Sequence, residues 1–146
     1  MSLPPDQLRK LFSRRVRRGT VLRATISFGE TGTVKPKYIV VMSKEPADAD
    51  PLVFFITTSQ LQAYERNAVF RENAVFLEAN ALKFFPRKTA INCRELYELP
   101  REEVQELVAN GEADIIGDLP EETLALIDQI VRASILISLA DKAKII

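Results

Sequence analysis

Apolar residues in the first two thirds of the chain form short runs that polar or glycine- and proline-containing segments separate. The runs are rich in β-branched and aromatic residues, which favour strands. We therefore predict five strands, at residues 20–26, 37–43, 52–58, 74–78 and 88–93. The run at 37–43 is almost wholly apolar, which is typical of a strand buried on both faces.

Helical spacing replaces this pattern at both ends of the chain. Leu8, Leu11 and Phe12 follow two prolines and predict a short N-terminal helix. After Pro100, apolar residues recur three and four positions apart and predict a helix that ends at Gly111.

A longer helix is predicted from Asp118, which is placed to cap it, with Glu121 three residues later. We expect this helix to be the longest element and to pack across the open end of the sheet. Its predicted buried stripe consists of Leu124, Ile127, Ile130, Val131 and Ile135.

The connecting segments are polar. Residues 27–34 contain two glycines and predict a flexible loop, and residues 81–87 predict a loop with an apolar anchor. Residues 60–73 fit either a short helix or an irregular connection. Asp48 and Asp50 lie in a predicted turn, where acidic residues are common, and are better explained as turn formers than as metal ligands.

Strands followed by helices indicate an α+β fold. Five short strands with glycine loops favour a small antiparallel β-barrel followed by C-terminal helices. We divide the chain into a basic N-terminal arm or short helix at 1–18 and a single domain at 19–146. The barrel is expected at about 19–98 and the helices at about 100–142.

The amino-acid composition excludes several kinds of catalytic and metal site. The 146 residues are 47% hydrophobic and 27% charged, as in ordinary globular proteins, with one cysteine and no histidine. Disulfide frameworks, cysteine zinc clusters and histidine-based catalysis are therefore excluded. No phosphate loop of the Walker type is present, and we expect no metal and no cofactor. The longest apolar run is far shorter than a membrane span, so no membrane partner is expected, and a cytoplasmic location follows as the default.

Charge is unevenly distributed although 20 basic and 20 acidic residues cancel. Residues 1–18 carry a net charge of +5, whereas residues 94–146 carry −7. The basic cluster of the arm is Arg14, Arg15, Arg17 and Arg18. It suits RNA phosphates, but it equally fits a solvated arm or one that docks on the chain's own acidic C-terminal part.

Three predicted strand ends carry polar groups suited to phosphate chemistry. They are Lys37 after the glycine loop, the hydroxyl cluster Thr57, Thr58 and Ser59, and the pair Arg94 and Glu95. RNA cleavage needs a base, an acid and a cation for the phosphorane. Lys37 or Arg94 suits the cation, Glu95 the base, and the hydroxyls suit phosphate oxygens. Such groups at strand ends are also commonly just solvated.

Four segments carry a further signal: residues 19–22 (GTVL), 35–43 (KPKYIVVMS), 55–59 (FITTS) and 89–96 (TAINCREL). In this order they resemble the MazF/PemK (Kid) family of toxins from bacterial toxin–antitoxin pairs. The helix expected around 127–139 is also similar to the family's closing helix. The resemblance implies an SH3-like barrel, a homodimer, and a groove that binds single-stranded RNA or an antitoxin protein. It also implies metal-independent endoribonuclease activity.

Several family positions differ. Lys37 stands where the family has arginine, Asn92 where some members have arginine, and Arg94 where the family has aspartate. The threonine–serine pair is kept as Thr57 and Thr58, or as Thr58 and Ser59.

Three functions remain open: an active endoribonuclease with an altered site, a catalytically silent relative that binds RNA or a protein, and an unrelated structural barrel. Lys37, Thr57 and Arg94 on one exposed surface would favour the first two, whereas a buried, hydrogen-bonded Thr57 would weaken both.

Overall fold

The computed structural model describes residues 4–25 and 36–146. Its strands are β1 (Thr20–Thr25), β2 (Pro36–Val41), β3 (Leu52–Thr58), β4 (Ala74–Leu77), β5 (Thr89–Leu99) and β6 (Ala113–Asp118). Its helices are α1 (Pro5–Arg15), α2 (Gln62–Arg66), α3 (Ala68–Glu72), α4 (Arg101–Ala109), α5 (Glu121–Ala133) and α6 (Leu139–Ile145). The five predicted strands and the main predicted helices are thus found, and segment 60–73 forms two short helices. The prediction that β5 ends at Cys93 is wrong: the strand continues to Leu99 because its last residues still pair with β3, so Arg94 and Glu95 lie within the strand and not at its end.

The six strands form one antiparallel sheet in the order β4-β5-β3-β2-β1-β6. A mixed fold of α and β elements is therefore confirmed. Within the described residues the edge strands β4 and β6 do not pair with each other, so the sheet is not closed and the barrel stays a prediction.

Both faces of the sheet are buried, which explains the continuous apolar runs of its central strands. Along β3, Val53 and Phe55 belong to one apolar cluster, whereas Leu52 and Phe54 belong to another. We call the face of Phe55 the first face and the face of Phe54 the second face.

Helices cover both faces. On the first face, Ile127 of α5 and Ile145 of α6 pack with Phe55. On the second face, Phe12 of α1 and Val104 of α4 pack with Phe54. Helices α2 and α3 pack on β4 and β5. No helix within the described ranges is long and apolar enough to cross a membrane.

Strand β6 is absent from the sequence-based prediction, and the expected role of Asp118 is wrong. Asp118 ends β6, and α5 begins after Pro120. The Asp118 carboxylate accepts a hydrogen bond from the buried Thr20 hydroxyl at 2.6 Å, and that hydroxyl in turn accepts one from the Arg17 amide at 2.8 Å. Asp118 therefore joins the edge strand β6 to its neighbour β1 instead of capping a helix.

The predicted stripe of α5 is correct except at its end. Ile127 and Val131 are fully buried, whereas Ile135 is 96% exposed. The helix stops at Ala133, and the Ser134 hydroxyl accepts a hydrogen bond from the Leu136 amide in the turn that follows. Ile135 therefore lies outside the helix and does not continue its stripe.

The turn before β3 is held by the start of α4. Asp50 accepts a hydrogen bond from the Arg101 amide at 3.1 Å. The Arg101 guanidinium donates to the carbonyls of Pro46 and Ala49. This confirms the turn predicted around Asp48 and Asp50 and gives one of the two carboxylates a structural role. The predicted loop 27–34 lies outside the described residues.

Candidate functional site

A pocket of about 660 Å³ opens at one end of the sheet, within the range of small-ligand sites. Strand β2 begins there, β3 ends there and β5 begins there, because neighbouring strands are antiparallel. The polar ends of three strands therefore meet although they are far apart along the chain. The predicted glycine loop that precedes β2 lies outside the described residues.

Lys37, Thr57, Thr58 and Ser59, four of the residues selected from the sequence, line this pocket. Arg87, just before β5, lines it as well and adds a second cation. Among the described lining residues none is aspartate or glutamate. The pocket therefore offers positive charge and hydroxyl groups, which is the combination that binds phosphate oxygens.

The hydroxyl groups differ in what they offer a ligand. The Thr57 side chain is buried, and its hydroxyl donates to the Tyr38 carbonyl at 2.9 Å. The Thr58 hydroxyl accepts from the Gln60 amide at 3.1 Å, which leaves its own proton for a ligand. Ser59 is exposed. Thr57 therefore holds β3 against β2, and Thr58 and Ser59 are the hydroxyls placed to contact a ligand.

Aromatic side chains also line the pocket. Tyr38 and Phe85 meet edge to face at 5.4 Å between ring centroids, and Phe84 meets Phe85 in the same way at 4.9 Å. Phe85 is buried, whereas Tyr38 and Phe84 are half-buried. The pocket thus combines cationic and aromatic surfaces.

Arg94 and Glu95 do not line the pocket. Arg94 lies over the Phe70 ring, with its guanidinium carbon 3.4 Å from the ring centroid, and its Nε is buried with no hydrogen-bond partner in the described part of the chain. Glu95 is exposed and accepts a hydrogen bond from the Tyr97 hydroxyl at 2.8 Å. Arg94 thus packs against α3, apart from the pocket that holds Lys37 and Thr57, so these three residues do not share one exposed surface. By the criterion set from the sequence, this arrangement and the buried, hydrogen-bonded Thr57 weaken both MazF/PemK-related functions.

None of the four arginines of the N-terminal arm lines the pocket. Arg14, Arg15 and Arg17 are exposed. Arg18 forms an ion pair with Asp128 of α5 and donates to the Ile145 carbonyl at 3.0 Å. One arginine of the arm is therefore docked on the acidic C-terminal part, as one of the three alternatives anticipated.

Sequence reasoning missed Arg87 and the aromatic side chains of the pocket. Residues 81–87 were interpreted only as a loop with an apolar anchor, which Phe85 confirms by its burial. The available signal was the order Phe84-Phe85-Pro86-Arg87, in which two aromatic residues precede a cation in a loop. Aromatic residues interleaved with cations are typical of single-strand binding surfaces.

No cluster of three or more metal-ligating side chains occurs in residues 4–25 and 36–146. A scan against protein-family models and a search of curated proteins each find no match for this chain.

Proposed function

We propose that this protein binds single-stranded RNA in the pocket at the strand ends, as a relative of the MazF/PemK toxins. The observation that carries the proposal is one pocket that Lys37, Arg87 and two available hydroxyls line together with aromatic side chains. Cations and hydroxyls bind the phosphates, and aromatic rings stack on bases that are not paired.

Binding, rather than cleavage, is the activity that the geometry supports. RNA hydrolysis needs a group that removes the 2′-hydroxyl proton. The described lining contains no carboxylate, the chain has no histidine, and Glu95 lies outside the pocket. Arg94, the other cation considered for the phosphorane, packs on Phe70 instead. The catalytically silent alternative is therefore the form of the proposal that we favour.

The proposal includes an SH3-like barrel, a homodimer and an antitoxin protein as second partner, all implied by the resemblance. One contact supports the barrel. Phe84 comes from the loop that joins β4 to β5, yet it packs on Gly117 in β6, at the opposite edge of the sheet. The loop thus bridges the two edges that a barrel brings together.

RNA binding is tested with a labelled 20-nucleotide RNA of mixed sequence in EDTA, by fluorescence anisotropy at several salt concentrations. We expect Lys37→Ala and Arg87→Ala each to weaken binding. Each should also flatten the salt slope, the slope of the logarithm of the binding constant against the logarithm of salt concentration, by about 0.7, the effect of one lost phosphate contact on a single strand. Lys83→Ala is the matched control, because Lys83 is exposed on the same loop as Arg87 but does not line the pocket.

Equal affinity and equal salt slope for the wild-type protein and the Lys37→Ala, Arg87→Ala and Lys83→Ala variants would overturn the proposal. The same samples are run on a denaturing gel. Intact RNA agrees with a binding protein, whereas discrete fragments that disappear in Lys37→Ala would replace the silent form with an endoribonuclease.

A further inference from the structure

The half-buried ring of Phe84 is held in an unusual way. Its neighbour Phe85 is buried and fixes one side of it, with the two ring planes at 70°. On another side the ring lies directly on the backbone of Gly117 in β6. A Cβ atom on Gly117 would come within 2.7 Å of Phe84 Cε1 and 3.1 Å of Cδ1.

The lack of room for a side chain, and not the backbone conformation, accounts for the glycine at position 117. Among the described glycines, positive φ angles occur at Gly19 and Gly111 and not at Gly117, so another residue fits the backbone there. A contact of 2.7 Å with a ring carbon is closer than real Cβ atoms tolerate. Any side chain at this position therefore displaces the Phe84 ring from its place against β6.

We propose that the Phe84 ring stacks on one unpaired nucleobase, and that Gly117 is a positioning residue that fixes where this ring lies. The inference rests on the proposed RNA binding and deepens it. Lys37 and Arg87 of the same pocket supply the charge for the flanking phosphates. The aromatic ring then binds the base by its π-face, which every base presents.

The first test measures the contribution of the bases to binding separately from that of the phosphates. Binding of a single-stranded RNA is compared with binding of an abasic ribose-phosphate oligomer of equal length. We expect the wild-type protein to bind the RNA more tightly by about 5- to 150-fold, the range measured for one stacked base. Phe84→Leu is expected to lose most of this difference.

The second test asks whether Gly117 acts through Phe84. We expect Gly117→Ala to weaken RNA binding by about tenfold, within the range for a displaced stacking contact. In a Phe84→Ala background the same substitution is expected to have no further effect, because the ring that it displaces is gone. Should Gly117→Ala fail to fold, recovery of folding by Phe84→Ala in the same chain supports the contact.

The outcomes distinguish the two proposals. If neither oligomer binds, RNA binding and base stacking both fail. If both bind equally and Phe84→Leu changes nothing, the pocket is a phosphate site and only the stacking proposal is overturned. Equal losses from Gly117→Ala in both backgrounds would remove Gly117 as a positioning residue.

Discussion

At the scale of single residues, Thr57 and Thr58 show how position decides the role of identical side chains. Successive residues of a strand point to opposite faces, so the two threonines have different surroundings. Thr57 is buried and donates to the Tyr38 carbonyl, whereas Thr58 accepts from the Gln60 amide. The sequence places a hydroxyl cluster at this strand end, but it does not say which hydroxyl faces the pocket.

Cys93 is a second residue whose chemistry depends on burial. Its side chain is fully buried. Loss of hydration raises the pKa of the Cys93 thiol from 9.0 to about 12, against a smaller opposing effect of a backbone hydrogen bond to Val75. The thiol is therefore uncharged and inaccessible in the folded protein at neutral pH, and we assign it to the core.

This pKa predicts a loss of stability in alkali. Above about pH 9 the unfolded chain releases the thiol proton and the folded chain keeps it until about pH 12, so the free energy of unfolding falls as pH rises. Between about pH 8 and about pH 10.5 we expect this thiol to remove about 2 kcal/mol of stability. Urea unfolding at both pH values measures the change.

Cys93→Ala is the reference, because it lacks the thiol but keeps all other titrating groups. Its free energy of unfolding should fall less over the same pH interval. Parallel losses in the two proteins would show that Cys93 ionises equally in both states.

At the scale of elements, local pattern predicted β1 to β4 and the first part of β5, because these segments are rich in apolar and β-branched residues. The second part of β5 was missed because charged residues such as Arg94, Glu95 and Glu98 interrupt that pattern. Strand β6 was missed because Asp114, Gly117 and Asp118 are poor strand formers, and Asp118 with Glu121 imitates a helix start. Its strand conformation depends on pairing with β1, a partner distant in sequence. The end of α5 was placed too late because Ile135 keeps the helical spacing after the helix has stopped.

The attachment of the N-terminal segment to α5 and α6 yields a prediction at this scale. Arg18→Met keeps the apolar stem but removes the ion pair with Asp128 and the hydrogen bond to the Ile145 carbonyl. Because both groups are partly buried, we expect the free energy of unfolding to fall by about 1–2 kcal/mol. Urea denaturation measures it, and exchange of the α6 amides should accelerate.

Arg17→Met is the control, since Arg17 is exposed beside it. We expect this variant to lie within about 0.5 kcal/mol of the wild-type protein. If the two variants are equally stable, the contacts of Arg18 contribute nothing to holding the C-terminal helices.

At the scale of the whole molecule, the candidate site is an assembly of distant segments. Its lining comes from β2, from the end of β3 and from the loop before β5. The sequence located the polar ends of β2 and β3, because they are local features, but it wrongly placed a strand end at Arg94 and Glu95, which lie within β5. The sequence alone does not predict that Arg87 and Phe84 lie beside the ends of β2 and β3 or that Arg94 lies elsewhere. Those positions depend on strand order and on the contact of Phe70 with Arg94.

The exposed arginines of the arm yield a prediction at this scale. Changing Arg14, Arg15 and Arg17 together to Glu should weaken RNA binding and flatten its salt slope by about 2, the effect of three lost phosphate contacts. Arg18 is left unchanged because it is bound to Asp128. Anisotropy titrations at several salt concentrations measure both quantities.

A variant with Arg66, Lys83 and Arg132 changed to Glu carries the same net charge and is the control, because these residues are exposed and lie outside the pocket. Equal slopes for the two triple variants would mean that only net charge matters. The arm would then not contact RNA.

The pairing of β1 with β6 also has a consequence for biosynthesis. Thr20 and Asp118 are hydrogen-bonded although 98 positions separate them. At roughly 5–20 residues per second, a ribosome makes the second about 5–20 s after the first. Throughout that interval one edge of β1 presents unpaired amides and carbonyls, which invite pairing with other chains. The nascent sheet therefore stays open to edge-to-edge pairing with other chains until β6 has been synthesised.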